Sequence, residues 1–560
     1  MSPRVTAPAR TLPDSIGLDE FMARVAADPL PLADRYRLVA AARILVEELY
    51  VHLPLKRARY ATDPVQRLRL LERRVPALGE LQFHAELAAV FRDLRDLHTV
   101  YQLPAPYRGK VAVLGFLVER YQDADGTPHY LVSRIDDSLR HADFDAGVAL
   151  ELWNGVPVER AVERSTAAQV GCSPDARLAR GLESLTLRPL RTAPPPDERW
   201  VLLTYRTPEG RLRETRVPWR VRAAERYRGR EQDPVPTLGA HLGIDVGNEA
   251  TRRAKRALFA PGSARTSAAR APRDVLAYSG ARARPYGYLR IFSFNVASAR
   301  RFAEQVAAIA AKAPDQGLIV DVRGNPGGNI LAAEAALRVL SADAVAPVRF
   351  SLPTTRAALA LVRAAPAFRR WTDSIRDAVE TGEPYSQAFP LSDPEALTDG
   401  LPHYAGPKVL IVDALTYSAA DVFAAGFADN GARAGTDAAT DGGPVPVLGT
   451  AATTGAGGAN VWTYELLSVW LPELLPALPR GAGFRVALRR ATRAGASAGV
   501  PLEDFGVAAA ALHRLTRRDV LGRNQDLLAS AVPLLQRIRS GDDALPASVT
   551  ATAGCGPVGA

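Results

Sequence analysis

Between residues 277 and 541 the chain alternates short, almost wholly apolar runs with Ala-rich stretches of helical period. "YGYLRIFSF", "GLIVDVRG" and "PKVLIVDAL" read as strands, and "ASARRFAEQVAAIAAKA", "NILAAEAALRVLS" and "SAADVFAAGFADNG" as the helices that follow them. A strand apolar at consecutive positions, rather than alternate ones, needs cover on both faces. Such strands separated by helices build βαβ units, so this segment is expected to form a mainly parallel sheet with helices packed on it.

Two strand–helix junctions carry residues suited to chemistry. In "LIVDVRGNPGGN" (318–329) a buried strand ends in Gly324, Asn325, Pro326, Gly327 and Gly328 before a helix opens. Backbone N–H groups and the positive end of a helix dipole coincide there. The pattern is neither GxGxxG nor a P-loop, which leaves a plain turn or an oxyanion-holding turn. In "DALTYSAADVF" Ser418 stands between strand and helix in the same way. Ser418 and Asp421 form an S-x-x-D capping box, and a nucleophile is the second reading.

Composition excludes several classes. Of 560 residues, 47% are hydrophobic and 23% charged, so cores are affordable and more than one domain is expected. The net charge of +10 is carried by Arg, with five lysines in all, and is spread along the chain. No dense basic block argues for a nucleic-acid partner. Cys172 and Cys555 make no disulfide framework, and no CxxC or Cys/His spacing points to a metal. No cofactor or metal is expected. The first residues lack an apolar leader core, and no run reaches about 18 apolar residues, so the reading is cytoplasmic with no membrane partner.

Upstream, residues 1–16 read as a Pro/Ala-rich disordered tail. Residues 17–104 are helical in period, as in "RYRLVAAARILVEELYVHL" and "LQFHAELAAVFRDLRDLHT". Residues 105–222 shift to short β-type runs, among them "KVAVLGFLVERY", "HYLVSRI" and "VALELWNGVPVERAVER". Residues 223–276 are an Arg/Ala/Pro-rich insertion or linker, and 542–560 a second disordered tail.

A serine needs a base. No lysine follows Lys408, so the downstream chain offers no Ser–Lys dyad. Of eight histidines, His98 closes a helical run in "LRDLHTVYQ", where packing or dipole roles are common. His403 and His513 sit in plain loop or amphipathic settings.

Taken in order, "LRDLHT", "VALELWNGVPVE", "LIVDVRGNPGG", "PKVLIVDALTYSAADVFA", "VLGTAATTGAGGANV" and "PLEDFGV" resemble the C-terminal processing (tail-specific) peptidases, and more the tricorn-core and retinoid-binding-protein branch. The resemblance implies a multidomain α/β protein: a crotonase-like core (277–541), an N-terminal helical domain and a PDZ-like β-module. It implies that Ser418 is the nucleophile, with Gly327 or Gly328 and the N–H of Ser418 or Ala419 as oxyanion hole. Gly457 or Gly458 stands where processing peptidases carry their lysine, with Gly443 a competing match. The tricorn type implies His98 as base and Glu503 as its partner, with Leu97 replacing a serine. Arg489, Arg490 and Arg493 are candidates for binding a substrate carboxylate. The expected function is a serine peptidase acting on peptides or protein C-terminal regions. The alternatives are a non-catalytic peptide or apolar-ligand binder and a small ester or amide hydrolase. Oligomeric state is not legible.

Overall fold

A computed structural model describes residues 12, 14–141, 143–223, 251–252, 254–255, 275–279, 285–430 and 446–540. Most of the expected tails and of the 223–276 segment lies outside the described residues, as does Gly443.

The N-terminal region folds into the α-helices Leu18–Ala27, Leu32–Ile44, Leu53–Tyr60, Pro64–Arg74 and Glu80–Arg92. Asp63 caps the fourth by accepting the amides of Val65 and Gln66, ahead of Pro64 at a position that needs no donor. The region is stitched to the rest at both ends. Its first strand, Ser15–Gly17, pairs with Arg220–Ala223, and the strand Val100–Gln102 pairs with Gly483–Thr492.

Two antiparallel sheets follow. One runs in the order Ser15–Gly17, Arg220–Ala223, Lys110–Val113, Leu187–Pro189. The other runs Leu212–Pro218, Trp200–Arg206, Ala149–Trp153, Pro128–Ile135, Phe116–Gln122. The expectation that "VPVERAVER" continues the β-type pattern fails: Val158–Ala167 is a helix. Its buried residues, Val158, Ala161, Val162 and Ser165, recur at three and four, a helical spacing hidden by the strand run just before it.

The third part contains the expected sheet. Its order is Leu276–Ser279, Gly287–Ile291, Leu318–Asp321, Lys408–Val412, Val447–Gly449, Ala511–Leu512. Only the first pair is antiparallel. Leu318, Ile319 and Val320 are fully buried, as are Val409, Leu410, Ile411 and Val412. Helices Ala299–Ala310, Ile330–Val339 and Ala419–Asp429 share the core on one face. Leu527, Leu528, Ala531, Leu534 and Leu535 of the last helix, Gln525–Ser540, cover Ile319, Val409 and Ile411 on the other. Both faces are dry, which accounts for the unbroken apolar runs.

A second sheet of this part has no counterpart in the sequence reading. The ten-residue strand Gly483–Thr492 is its centre, flanked by Ala459–Thr463, Arg349–Ser351 and Val100–Gln102. Its arginines disguise it: Arg485 and Arg489 are buried although they are charged.

Candidate active site

The turns that leave Leu318–Asp321 and Lys408–Val412 lie side by side at the carboxyl ends of adjacent parallel strands, where open α/β sheets place their ligands. Hydrogen bonds lock one to the other. Asp413 accepts the amides of Gly324 (2.8 Å) and Leu415 (3.1 Å). Thr416 Oγ1 donates to Val322 O (3.1 Å), and Tyr417 N–H donates to Asn325 O (2.9 Å). Beneath the first turn, Asp321 is bonded by Arg290 (2.7 Å), Arg323 (2.8 Å) and Tyr288 (2.8 Å). Burial works against its ionisation, yet the two guanidiniums hold its carboxyl well below the usual range.

Glycine is required at the end of that turn. A Cβ on Gly328 would lie 2.2 Å from Phe294 C and 2.3 Å from Asn295 N, and its φ is +136°. Gly327 N–H is already given to Asn325 Oδ1 at 2.9 Å. The amide of Gly328 has no acceptor among the described residues.

Ser418 adopts φ 64°, ψ −122°, a conformation that costs a non-glycine residue roughly 1–3 kcal/mol. Ser418 and Asp421 occupy the two ends of a capping box, and the arm from Ser418 N–H to Asp421 Oδ2 is well formed at 2.9 Å. Ser418 Oγ, with the residue 1% exposed, meets no hydrogen-bond partner of good geometry among the described residues. Asp421 also accepts Gly457 N–H (2.7 Å) and Ala456 N–H (3.3 Å). Burial pushes it up to about 7. Ser418 N–H is committed to Asp421, whereas the amides of Ala419 and Gly328 donate to nothing among the described residues.

His98 arrives from the N-terminal region, in the turn between Glu80–Arg92 and Val100–Gln102. Asp96 builds that turn, accepting His98 N–H at 2.7 Å and the Thr99 hydroxyl at 2.9 Å. The His98 ring packs on Tyr417, the residue before Ser418, with centroids 4.6 Å apart. Tyr417 Oη lies 3.5 Å from His98 Nδ1 and accepts Leu97 N–H at 3.2 Å. The carboxylate nearest that ring nitrogen is Asp96, at 3.9 Å. Burial opposes the charge on Asp96, but Lys56, His98 and His52 draw its carboxyl below the usual range.

Glu503 sits elsewhere in the same buried cluster. Its Oε1 is 2.6 Å from Lys56 Nζ, its Oε2 accepts Gly458 N–H at 3.0 Å, and His52 Nε2 lies 4.0 Å away. His52, Asp96 and Glu503 hold potential metal-ligating atoms within 4.8 Å of one another, and the Lys56 ammonium already supplies a positive charge at Glu503. Nothing in the sequence marks Lys56: a lysine in the amphipathic helix Leu53–Tyr60 gives no signal of burial.

Steric crowding explains the last two glycines of "TTGAGG". A Cβ on Gly457 would stand 2.4 Å from the Tyr417 ring, and one on Gly458 2.1 Å from Glu503 N. Neither position has room for a lysine.

The three arginines part company. Arg493 makes a two-bond pair with Asp429 (2.6 and 2.8 Å), and Arg490 lies over the Tyr385 ring. Arg489 is buried between Phe368 and Trp371, 4.4 and 4.9 Å from their centroids, and burial lowers it to about 9.

Residues 285–461 match the family model described as peptidase family S41. That segment of the α/β core is similar to peptidase family S41, and the class is that of the serine-type peptidases. In overall fold the chain is similar to mature CPAF, with 16% identity, 92% of this chain and 99% of that one covered, and a TM-score of 0.62. It is also similar to mature CPAF complexed with lactacystin (16% identity, 91% and 99% covered, TM-score 0.61) and to a serine-to-alanine mutant of CPAF (15%, 92% and 99%, 0.63). A search of curated proteins returns no significant match. Among the described residues, no helix is long and apolar enough to cross a membrane.

Proposed function

We propose that the protein is a tail-specific serine peptidase in which Ser418 attacks, His98 carries the proton and Glu503 supplies charge behind it. One observation carries this reading: a serine held in a strained turn, beside two unspent amides and a histidine 320 positions upstream whose ring rests on the serine's neighbour. Strain of this kind persists where the surroundings over-determine it, which is typical of nucleophile turns. Around this site, the core reads as crotonase-like and the β-module as PDZ-like.

The chemistry follows from the positions. His98 takes the proton of Ser418 Oγ as Oγ bonds to the scissile carbonyl carbon. The carbonyl electron pair moves to oxygen, which the Gly328 and Ala419 amides bind; one such donor is worth roughly 3–4 kcal/mol. The imidazolium is stabilised by Asp96 at its Nδ1 side and by Glu503 beyond. It then gives its proton to the leaving amine as the C–N bond breaks, and water releases the acyl group by the same steps in reverse roles. Oγ lacks a bond to the imidazole in this state; such bonds commonly tighten only when substrate is present.

An unfolded protein substrate tests the reading. Wild type is expected to cleave it, and Ser418→Ala to lose at least about 10³-fold in kcat/KM. Turnover of small esters without proteolysis would support a small-substrate hydrolase. A folded wild type inert to both would overturn the enzymatic reading in favour of a binding protein.

A further inference from the structure

The fold brings to this site a lysine from far upstream. Lys56 is separated from Glu503 by 447 positions, and its ammonium is 2.6 Å from both Glu503 Oε1 and Asp504 Oδ1. Its side chain is fully buried. Three buried carboxylates, Asp96, Glu503 and Asp504, gather around it. The other groups facing them are Tyr50 and His52, both buried, His98 across Asp96, Tyr60, whose ring centroid is 5.5 Å from the Lys56 ammonium, Cys172, and Arg59, which is 41% exposed and 3.9 Å from Asp504. A carboxylate in such a place takes up a proton unless a cation is fixed against it. Burial, and then Asp96 and Asp504, push the Glu503 carboxyl well above its usual range against the pull of Lys56; what favours the carboxylate is the geometry, an ammonium 2.6 Å from one oxygen and an amide donor 3.0 Å from the other.

The two oxygens of Glu503 are also held separately, Oε1 by Lys56 and Oε2 by the Gly458 amide. The carboxylate cannot rotate without breaking one of them. Gly458 in turn cannot move aside, because the Leu502–Glu503 backbone lies against its α-carbon.

We propose that Lys56 is a positioning residue of this peptidase, holding Glu503 as an oriented carboxylate so that its negative charge is present when His98 accepts the proton of Ser418. The inference rests on the Ser418–His98–Glu503 reading above. It makes the N-terminal helix Leu53–Tyr60 a working part of the active site. Lys56 touches no reacting atom; its two carboxylate partners keep it charged, so it is not a base.

The test is the pH dependence of fluorophosphonate labelling of Ser418 in the full chain. In Lys56→Met the acidic limb is expected to move up by about one pH unit or more, with the rate recovering toward wild type at alkaline pH. Lys56→Arg is expected to restore part of that shift. A purely structural role would lower labelling equally at every pH, and an unmoved limb would overturn the proposal. If Lys56→Met does not fold, Lys56→Met/Asp504→Asn, which removes one charge of each sign, carries the same comparison. Infrared difference spectra at pH 7 give an arm independent of activity. Relative to wild type, an added protonated-carboxyl C=O band is expected in Lys56→Met and not in Lys56→Met/Glu503→Gln; no added band in Lys56→Met also overturns the proposal. Failure of wild type to label at Ser418 would instead refute the peptidase reading, with the infrared arm still deciding what Lys56 does to Glu503.

Discussion

Ser418 combines two costs, a left-handed backbone and a buried hydroxyl without a hydrogen-bond partner of good geometry among the described residues. Glycine relieves the first at no steric penalty, whereas alanine does not. Ser418→Gly is therefore predicted to be more stable than Ser418→Ala by about 1–2 kcal/mol in denaturant melts, with both inactive. Equal stabilities would contradict stored strain. A second residue-scale prediction concerns Gly457, whose added methyl would stand 2.4 Å from the Tyr417 ring. Gly457→Ala is predicted to push that ring, and His98 with it, out of place and to lower kcat about 10²-fold with KM little changed. Steady-state kinetics on the variant checks this. Ser418 and Gly328 were legible in the sequence because turn chemistry is local. Lys56 and Asp96 were not, because nothing nearby in the chain marks a charged side chain for burial in a cluster 400 positions away.

At the scale of elements, the two turns act as one unit through Asp413, Thr416 and Tyr417. Tyr417→Phe removes the acceptor of Leu97 N–H and is predicted to cost about 1 kcal/mol of stability, and tenfold or more in kcat/KM as the His98 turn loosens. The helix behind the first turn carries a buried carboxylate of another kind. Glu334 accepts Val348 N–H at 2.9 Å and the Ser392 hydroxyl, with no cation beside it among the described residues, and burial pushes it up to about 7. Its folded pKa lies above its unfolded one. Its favourable contribution is therefore complete below about pH 4.5 and is lost as pH rises to about 7. Relative to wild type, Glu334→Gln is predicted to flatten a stability decline on the order of 3 kcal/mol across that window. Parallel curves for the two proteins would contradict it. The parallel sheet was readable because strands covered on both faces leave unbroken apolar runs. The Gly483–Thr492 strand was hidden because its buried positions include Arg485 and Arg489, and the Val158–Ala167 helix because it follows a strand without a break.

Across the whole molecule, the proposed site draws on both ends of the chain. His98, Asp96 and Lys56 come from the N-terminal region, Ser418 and Gly328 from the sheet, and Glu503 from beyond Gly483–Thr492. The strand Val100–Gln102 ties the first group to the last. Modification of Ser418 is accordingly predicted to slow amide hydrogen exchange in 96–102 and 454–460 together; protection confined to 413–422 would mean that the parts do not work as one. The order of motifs along the sequence singled out the segments of the proposed site, and only the fold shows that Asp96 is the carboxylate beside His98 while Glu503 is held by Lys56.

The central claim is that His98 activates Ser418. The most direct measurement is the rate and position of fluorophosphonate labelling in wild type and His98→Ala, with the labelled peptide mapped by mass spectrometry. The account predicts a single label on Ser418 in wild type and a loss of about 10³-fold or more in His98→Ala at unchanged melting temperature. Equal rates in the two proteins, or a label on any other serine, would contradict it.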